Sequence, residues 1–552
     1  MDRHRNPDFD WIVIGSGFGG SVSALRLAEK GYRVAVLECG REFPDRELPT
    51  SAWQLRRFLW KPELGLKGIL RVTPFKDVLV LSGSGVGGGS LVYAATLYRA
   101  EPAFFADPQW RDLDDWQARL RPHYETAERM LGVTPVPFES PCDVLLKEFG
   151  AQLGCADRFR KTNVGIYFGE EGRKAADPYF GGEGPERTGC LRCGDCMLGC
   201  PHGAKNTLPR NYLWLARRRG VEIRAGRTVT DVRPLGAADG SDGYAVTSEH
   251  SGAWLRKRRS VLTARGVVFA AGALGTNTLL ANCVHRGSLP RISPRLGELV
   301  RTNSESIQAV TLPNDRREVW RSVSITGSLF PDAASHIEFL TWGRGWDAFG
   351  YLFTLLSGSG NRLTRPLRAL GAIARRPWWL LSRLWPFGWA ERTIGTGIMQ
   401  TLDNAIAFRP KRRWFGGIRL RTEQDPQRPI PTHFPLADEA TRWLARSTGG
   451  VAQGFVTESF FSTPTTAHIL GGAVIGKDAD HGVVNARHEV YGYRNLLVCD
   501  GAAMPANPGV NPSLTITAMA EAAMTEVPDC STATVGAAAG TARMRAPADA
   551  KT

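Results

Sequence analysis

Residues 10–39 constrain this chain more than any other stretch. Trp11-Ile12-Val13-Ile14 is a short apolar run, and Gly15, Gly17 and Gly20 follow it in the order G-x-G-x-x-G. Residues 21–30 have helical spacing, Gly31 stops the helix, residues 33–37 form a second strand, and Glu38 stands at its end. Strand, glycine turn, helix, strand and acid make one dinucleotide-binding unit of an α/β sheet. Gly15 permits the tight turn, Gly17 lets the backbone approach a pyrophosphate, and Gly20 lets the helix pack closely on the strand. Phe18 and Gly19 sit at the helix N-terminus, which offers unpaired N–H groups and a positive dipole end to phosphates. Glu38 is placed to accept hydrogen bonds from a ribose, and an acid there argues against a 2′-phosphate. Alone, this stretch fits either NAD or FAD.

The rest of the chain narrows the choice. The 552 residues are 43% hydrophobic and 22% charged, enough for two closely packed domains. The formal net charge of +15 comes with no nucleic-acid recognition module; an anionic membrane surface is the rival partner, and a general arginine bias with no partner is the plain alternative. The dinucleotide unit starts almost at Met1, which leaves no room for a signal peptide. No run of about 18 uncharged apolar residues predicts a transmembrane helix. Six of the ten cysteines are scattered, mostly in apolar settings, which is not a secreted disulfide framework. The expected compartment is a reducing cytoplasm, with peripheral contact at a membrane face.

Several later segments return to the nucleotide-binding sheet. Residues 41–76 are basic and aromatic and read as a lid or connection. Residues 78–81 form a strand that runs into Gly83-Ser84-Gly85-Val86-Gly87-Gly88-Gly89-Ser90. So many glycines between apolar flanks mean that the backbone itself comes close to something. Residues 112–131 and a part of 201–219 read as helices, and 221–224 and 228–232 as strands. Residues 267–271 form a strand ending in a glycine turn at 270–276. Residues 322–339 and 394–408 are strand-rich and predict a second, sheet-based domain. Residues 496–499 form a last strand, with a final helix from about Asn511.

These stretches together resemble the glucose–methanol–choline (GMC) family of flavin oxidoreductases, and within it the branch of actinobacterial cholesterol oxidases. The carrying segments are GSGFGGSVSALRLAEKGYRVAVLE, GSGVGGGSL, TGCLRCGDCMLGCPHGAKNTLPRNYLWLA, AHILGGAVIG and DGAAMPANPGVNPSLTITAMAE. The resemblance implies an α/β fold, α+β overall. A discontinuous Rossmann-like FAD-binding domain takes residues 1–300, with insertions around 41–77 and 140–205. A sheet-and-helix substrate domain takes 301–460, the FAD domain returns at 461–527, and 528–552 is a disordered tail. It implies FAD, with the adenine end at Gly15, Gly17, Gly20, Glu38 and backbone of Val229. The isoalloxazine side falls to Gly83, Gly87, Gly88, Gly89 and Ser90. Asp500-Gly501 and Asn511-Pro512 close over the pyrophosphate and ribityl chain. One position departs: Val92 and Tyr93 follow the glycine loop where steroid oxidases of the family usually carry asparagine.

Three residues carry the chemistry. Alcohol oxidation needs a base for the hydroxyl proton while hydride leaves the carbon. His468, in Ala467-His468-Ile469-Leu470-Gly471-Gly472, has the reference pKa near 6.5 that this task requires. Seen alone it is as well read as a hydrogen-bonded core histidine; the family motif makes it the residue at the substrate hydroxyl. Asn511 binds the substrate oxygen opposite it, or caps the helix that Pro512 starts. Glu338 lies in an apolar strand, where a carboxylate is costly unless paired or functional. Steroid oxidases of the family use a glutamate in such a segment to shift the steroid double bond, and an ordinary edge-strand acid is the alternative.

Two features remain. Cys190, Cys193, Cys196 and Cys200 with Pro201 spell C-x2-C-x2-C-x3-C-P, the spacing of a bacterial iron–sulfur ligand run. An iron–sulfur cluster, a zinc site and plain reduced thiols are the three readings. Residues 362–392 carry seven arginines interleaved with tryptophan, leucine and phenylalanine, and no acid before Glu391. That composition suits a helix lying in a bilayer interface, or equally a substrate-domain helix packed on the core with a solvated arginine face. The sequence therefore predicts FAD-dependent oxidation of a hydrophobic secondary alcohol, a 3β-hydroxysteroid, with double-bond isomerisation if Glu338 acts. The alternatives are a dehydrogenase with an iron–sulfur relay to a non-oxygen acceptor and a non-catalytic membrane-associated flavoprotein.

Overall fold

The structure is a computed structural model that describes residues 6–253, 257–313, 317–382, 384–414 and 417–531. Its first sheet has a parallel centre, in the order Glu222–Arg224, Val34–Leu37, Phe9–Ile14, Ser260–Phe269. Leu496–Val498 then pairs in parallel with the end of Ser260–Phe269, at Val267 to Phe269. Residues 11–14, Val34–Leu37 and Leu496–Val498 are continuous apolar runs because both faces of the sheet are covered there. The antiparallel hairpin Arg227–Pro234 and Tyr244–His250 joins the first half of the same long strand. The sheet thus draws on segments nearly 500 residues apart in sequence.

Helices Phe18–Glu29, Ser513–Thr525 and Trp116–Leu131 pack side by side over this sheet. Glu521 ties Ser513–Thr525 to Phe18–Glu29 and to Tyr212, accepting Nε and Nη2 of Arg26 at 2.7 and 2.8 Å and the Tyr212 hydroxyl at 2.6 Å. Removing one partner from a buried pair of this kind typically costs about 3–5 kcal/mol, because the other charge stays buried.

The second sheet is antiparallel. Its order is Phe353–Leu355, Val451–Phe455, Ser306–Thr311, Thr393–Gln400, Ser335–Thr341, Ile325–Leu329, Phe159–Lys161. Strand alternation gives it two unlike faces. Ile337, Phe339 and Val310 bury against helices Pro141–Gln152 and Pro435–Thr448 through Leu146, Phe149 and Leu444. Glu338, Leu340, Trp342 and Ile307 point the other way, into a cavity.

Residues 41–76 are not an extended connection. They fold into the helix Leu55–Phe58 and the strands Trp60–Lys61, Leu66–Lys67 and Leu70–Pro74, and Phe58, Trp60 and Phe75 line the cavity. The strand-flanked glycine run 83–90 ends in a turn of 3-10 helix, Gly88–Leu91. The basic aromatic stretch forms the helices Thr364–Arg375 and Pro377–Ser382. Leu363, Leu367, Trp378, Leu384 and Trp385 stand 68–79% exposed there. Among the described residues no helix is long and apolar enough to cross a membrane. The tail from residue 532 lies outside the described residues.

Candidate active site

The two sheets meet across a cavity of about 890 Å³, a usual size for cofactor and ligand sites. One end is built from backbone. Helices Phe18–Glu29, Gly272–Arg286 and Ser513–Thr525 all open on it, and none has a side-chain cap at its N-terminus. Three positive dipole ends, none capped by its own N-cap side chain, fit an anionic pyrophosphate. The glycines fit the same purpose. A Cβ on Gly19 would lie 1.5 Å from the Cys499 carbonyl oxygen, and one on Gly20 2.1 Å from that of Gly15, so these two allow helix-to-sheet packing. A Cβ on Gly17 would meet nothing within 4 Å and would project into the cavity. A Cβ on Gly88 would come within 2.7 Å of the Gly17 Cα, so the two glycine loops touch backbone to backbone. These residues fit FAD: Glu38 and Val229 lie at one side of the cavity wall, Gly83, Gly88 and Gly89 along it, and Asp500, Gly501, Asn511 and Pro512 close it.

Some expected contacts sit behind the wall. Gly20, Gly87 and Ser90 do not line the cavity. Gly87 donates its N–H to Ser16 Oγ at 3.0 Å, and Ser90 Oγ donates to the Gly87 carbonyl and accepts from Leu208 N–H. Glu38 already accepts from Ser16 N–H at 3.1 Å, Ser16 Oγ at 2.7 Å and Gly40 N–H at 2.8 Å. It braces its own turn as well as facing the cavity. The Asp500 carboxylate is likewise engaged, with Thr276 Oγ1 at 2.6 Å and Ala502 N–H at 2.8 Å.

The other end is built from side chains. His468, Asn511 and Glu338 all line the cavity, although strand Ser335–Thr341 and the C-terminal loops are far apart in sequence. His468 Nδ1 lies 3.2 Å from Glu305 Oε2, an ion-pair distance at an angle short of a hydrogen bond. Glu305 Oε2 is itself held by Thr466 Oγ1 and Ala467 N–H, each at 2.9 Å. Burial pulls the His468 pKa down, but Glu305 and then Glu338 pull it up, and the net direction is up. Burial pushes the Glu338 carboxyl up to about 8, against the opposing pull of His468 and the Asn511 amide. Glu338 faces Gly397 across the sheet, which gives the carboxyl room. Asn511 is not a helix cap: Pro512 holds that position, and Asn511 Oδ1 is buried with no partner in the fold. Val92 and Tyr93 line the cavity, and the Tyr93 hydroxyl donates to the Asn206 carbonyl at 3.1 Å.

A buried polar network holds the loop that carries Asn511. Asn507 Oδ1 accepts from Asn303 N–H at 2.8 Å, and Asn507 Nδ2 donates to the Leu402 carbonyl at 2.7 Å. Asn303 donates to the Val510 carbonyl and accepts from Gly509 N–H, both at 3.0 Å. Arg301 donates to the carbonyls of Pro505 and Asn404. Motif reading passed over all of these and over Glu305. A signal existed: Arg301-Thr302-Asn303-Ser304-Glu305-Ser306 is six polar residues in a row, every one buried. Such a run between apolar strands is stable only if it is fully hydrogen-bonded.

The cysteine run is a correction. Among the described residues no group of three or more His, Cys, Asp or Glu side chains gathers to hold a metal. The expected iron–sulfur or zinc ligand set of Cys190, Cys193, Cys196 and Cys200 is not formed. Cys190, Cys196 and Cys200 pack with Ala95, Val136, Val164 and Ile166 in an apolar cluster. Positive φ at Arg192, Gly194, Gly199 and Cys200 turns the loop repeatedly. Burial pushes the Cys190, Cys193 and Cys196 thiols up, Cys193 to about 12.

Comparison with known proteins agrees with this geometry. The chain matches the family GMC oxidoreductase over residues 9–284 and again over 427–520. It is 48% identical over 529 residues to a cholesterol oxidase of Mycobacterium tuberculosis, covering 94% of this chain and 90% of that one. It is 41% identical over 529 residues to a cholesterol oxidase of Acinetobacter baumannii, covering 95% of both. The crystal structure of pyridoxine 4-oxidase from Mesorbium loti shares the fold, with a TM-score of 0.58 at 16% identity over 94% of this chain and 98% of that one. With a dinucleotide cradle at one end of its cavity and a histidine–carboxylate pair at the other, the chain belongs to the GMC oxidoreductase family and is an FAD-dependent oxidoreductase acting on CH–OH groups.

Proposed function

We propose that this chain oxidises the 3β-hydroxyl of a sterol to the ketone and then moves the ring double bond into conjugation with it. The observation that carries the reading is the pairing of His468 with Glu305 at the end of a cavity walled by Trp60, Leu340, Trp342 and Phe349, in a chain so similar to two cholesterol oxidases. An apolar wall of this kind selects a hydrophobic alcohol, and the few polar groups orient it. His468 takes the hydroxyl proton, and Glu305 holds the ring and stabilises the imidazolium that forms. Asn511 binds the substrate oxygen with its amide. FAD, when bound, accepts the hydride. Glu338 then removes a proton from the carbon between ketone and alkene and returns it to the far alkene carbon, so the proton count is unchanged.

The sterol is drawn from a bilayer. Exposed Trp53 packs against Tyr351 and Phe387, with ring centroids 6.0 and 6.1 Å apart, so the apolar surface of residues 363–387 runs on towards the cavity wall at Phe58 and Trp346. Arginines among exposed tryptophan and leucine suit an anionic interface. The reading is tested by anaerobic flavin reduction against sterols, long-chain alcohols and sugars. Rapid bleaching by a 3β-hydroxysteroid supports it, and reduction by another class alone overturns it. Replacing Trp378 and Trp385 by serine is expected to reduce binding to anionic vesicles; unchanged binding removes the membrane part.

A further inference from the structure

His336 is the buried titratable residue nearest this site that the chemistry above does not use. It lies two residues before Glu338 on strand Ser335–Thr341, so both side chains leave the same face of the sheet. Its Nε2 is 3.6 Å from Glu338 Oε1. His336 is 1% exposed and Glu338 2% exposed. Both ring nitrogens of His336 and the Oε1 of Glu338 are buried without a hydrogen-bond partner. A buried polar atom left unpaired is costly, and here two such groups face each other. A shift of under about 1 Å closes the gap to an ordinary hydrogen bond.

The ring cannot swing elsewhere. It stacks on Phe330 with centroids 4.5 Å apart and planes 1° from parallel, and Tyr98 meets its edge at 5.3 Å. The charged groups acting on the pair are His468 and Arg160 on His336, and His468 and Glu305 on Glu338. The Tyr98 hydroxyl is turned away, to Ser328 Oγ at 2.9 Å. Burial drives the two partners in opposite senses, Glu338 towards keeping a proton and His336 towards losing one. One donor then faces one acceptor.

We propose that His336 and Glu338 hold a single proton between them, and that His336 is the positioning residue that takes it when Glu338 acts as a base. The proposal deepens the double-bond shift and rests on that role of Glu338. The proton passes from the Glu338 oxygen to His336 Nε2. The carboxylate so formed takes a proton from the substrate carbon and gives it back at the far alkene carbon. His336 then returns its proton to Glu338. No oxidant or further reactant is needed: the pair gains one positive charge when the carboxylate takes the substrate proton, the substrate enolate carries the matching negative charge, and both charges vanish when the proton returns to carbon.

The test uses the FAD holoenzyme and has two readouts. In infrared spectra at neutral pH, a carboxylic acid band that disappears in Glu338→Gln is expected, and it shifts in His336→Phe, which keeps the ring stacking. In turnover, the ratio of isomerisation to oxidation falls at least about tenfold in His336→Phe, within the usual range of a lost proton-transfer partner, and the pH profile of isomerisation moves. His336→Gln keeps an acceptor for the acid proton and retains the band position while losing isomerisation. A band unmoved by His336→Phe, or no acid band assignable to Glu338, overturns the proposal. Isomerisation that survives Glu338→Gln overturns the role of Glu338 instead, and the infrared result still decides whether the proton is shared.

Discussion

The two ends of the cavity are made in opposite ways. At the cofactor end the protein presents backbone: three uncapped helix N-termini and glycines placed so that chain can touch chain. At the substrate end it presents the buried carboxyls of Glu305 and Glu338 and the half-buried His468, with His336 buried behind Glu338 and a polar loop network in support. Backbone donors suit a large ligand that is held throughout the reaction. Buried titratable groups suit a small group whose protons must move, because low dielectric makes each interaction strong and each unpaired group expensive.

If this contrast is right, the two ends fail differently. The largest effect is expected at His468: His468→Ala should slow anaerobic flavin reduction by about 10²–10⁴-fold while the protein keeps its FAD. At the other end Gly19→Ala places a Cβ 1.5 Å from a carbonyl oxygen. It should destabilise the fold by about 1–3 kcal/mol or more and lose FAD with it, read by thermal unfolding and flavin occupancy. Asn507→Ala removes the brace under the Asn511 loop. It should cost about 1–3 kcal/mol in denaturant unfolding and slow flavin reduction with FAD affinity unaffected. The smallest stability effect belongs to Gly17→Ala, whose Cβ meets no protein atom within 4 Å. The apoprotein should unfold within about 0.5 kcal/mol of the parent, yet bind FAD more weakly. Equal damage to apoprotein stability from Gly17→Ala and Gly19→Ala would erase the distinction.

The same contrast explains what the sequence made legible. The fingerprint at Gly15, Gly17 and Gly20 is local: one turn, one helix, one strand, with its physics contained in some thirty residues. His468, Asn511 and Glu338 were visible through motif and through the oddity of an acid in an apolar strand. Glu305 was not, because its role exists only once strand Ser306–Thr311 lies beside the Thr465–Thr466 loop. Asn507 has no motif of its own, and its purpose appears only with Asn303 and Leu402 across from it. The cysteine run failed in the reverse direction. Spacing alone left an iron–sulfur cluster, a zinc site and plain thiols open, and among the described residues no metal-holding group forms there.

The claim at the centre of this account is that Glu305 sets the basicity of His468. The direct measurement is the pH dependence of anaerobic flavin reduction by a 3β-hydroxysteroid, in the parent and in Glu305→Gln. His468 acts as a base only when neutral, so the rate rises with pH through its pKa, which Glu305 holds up. Removing that carboxylate lowers the pKa, and the acid limb should move to lower pH while the maximal rate falls. An acid limb that stays where it was would contradict the account.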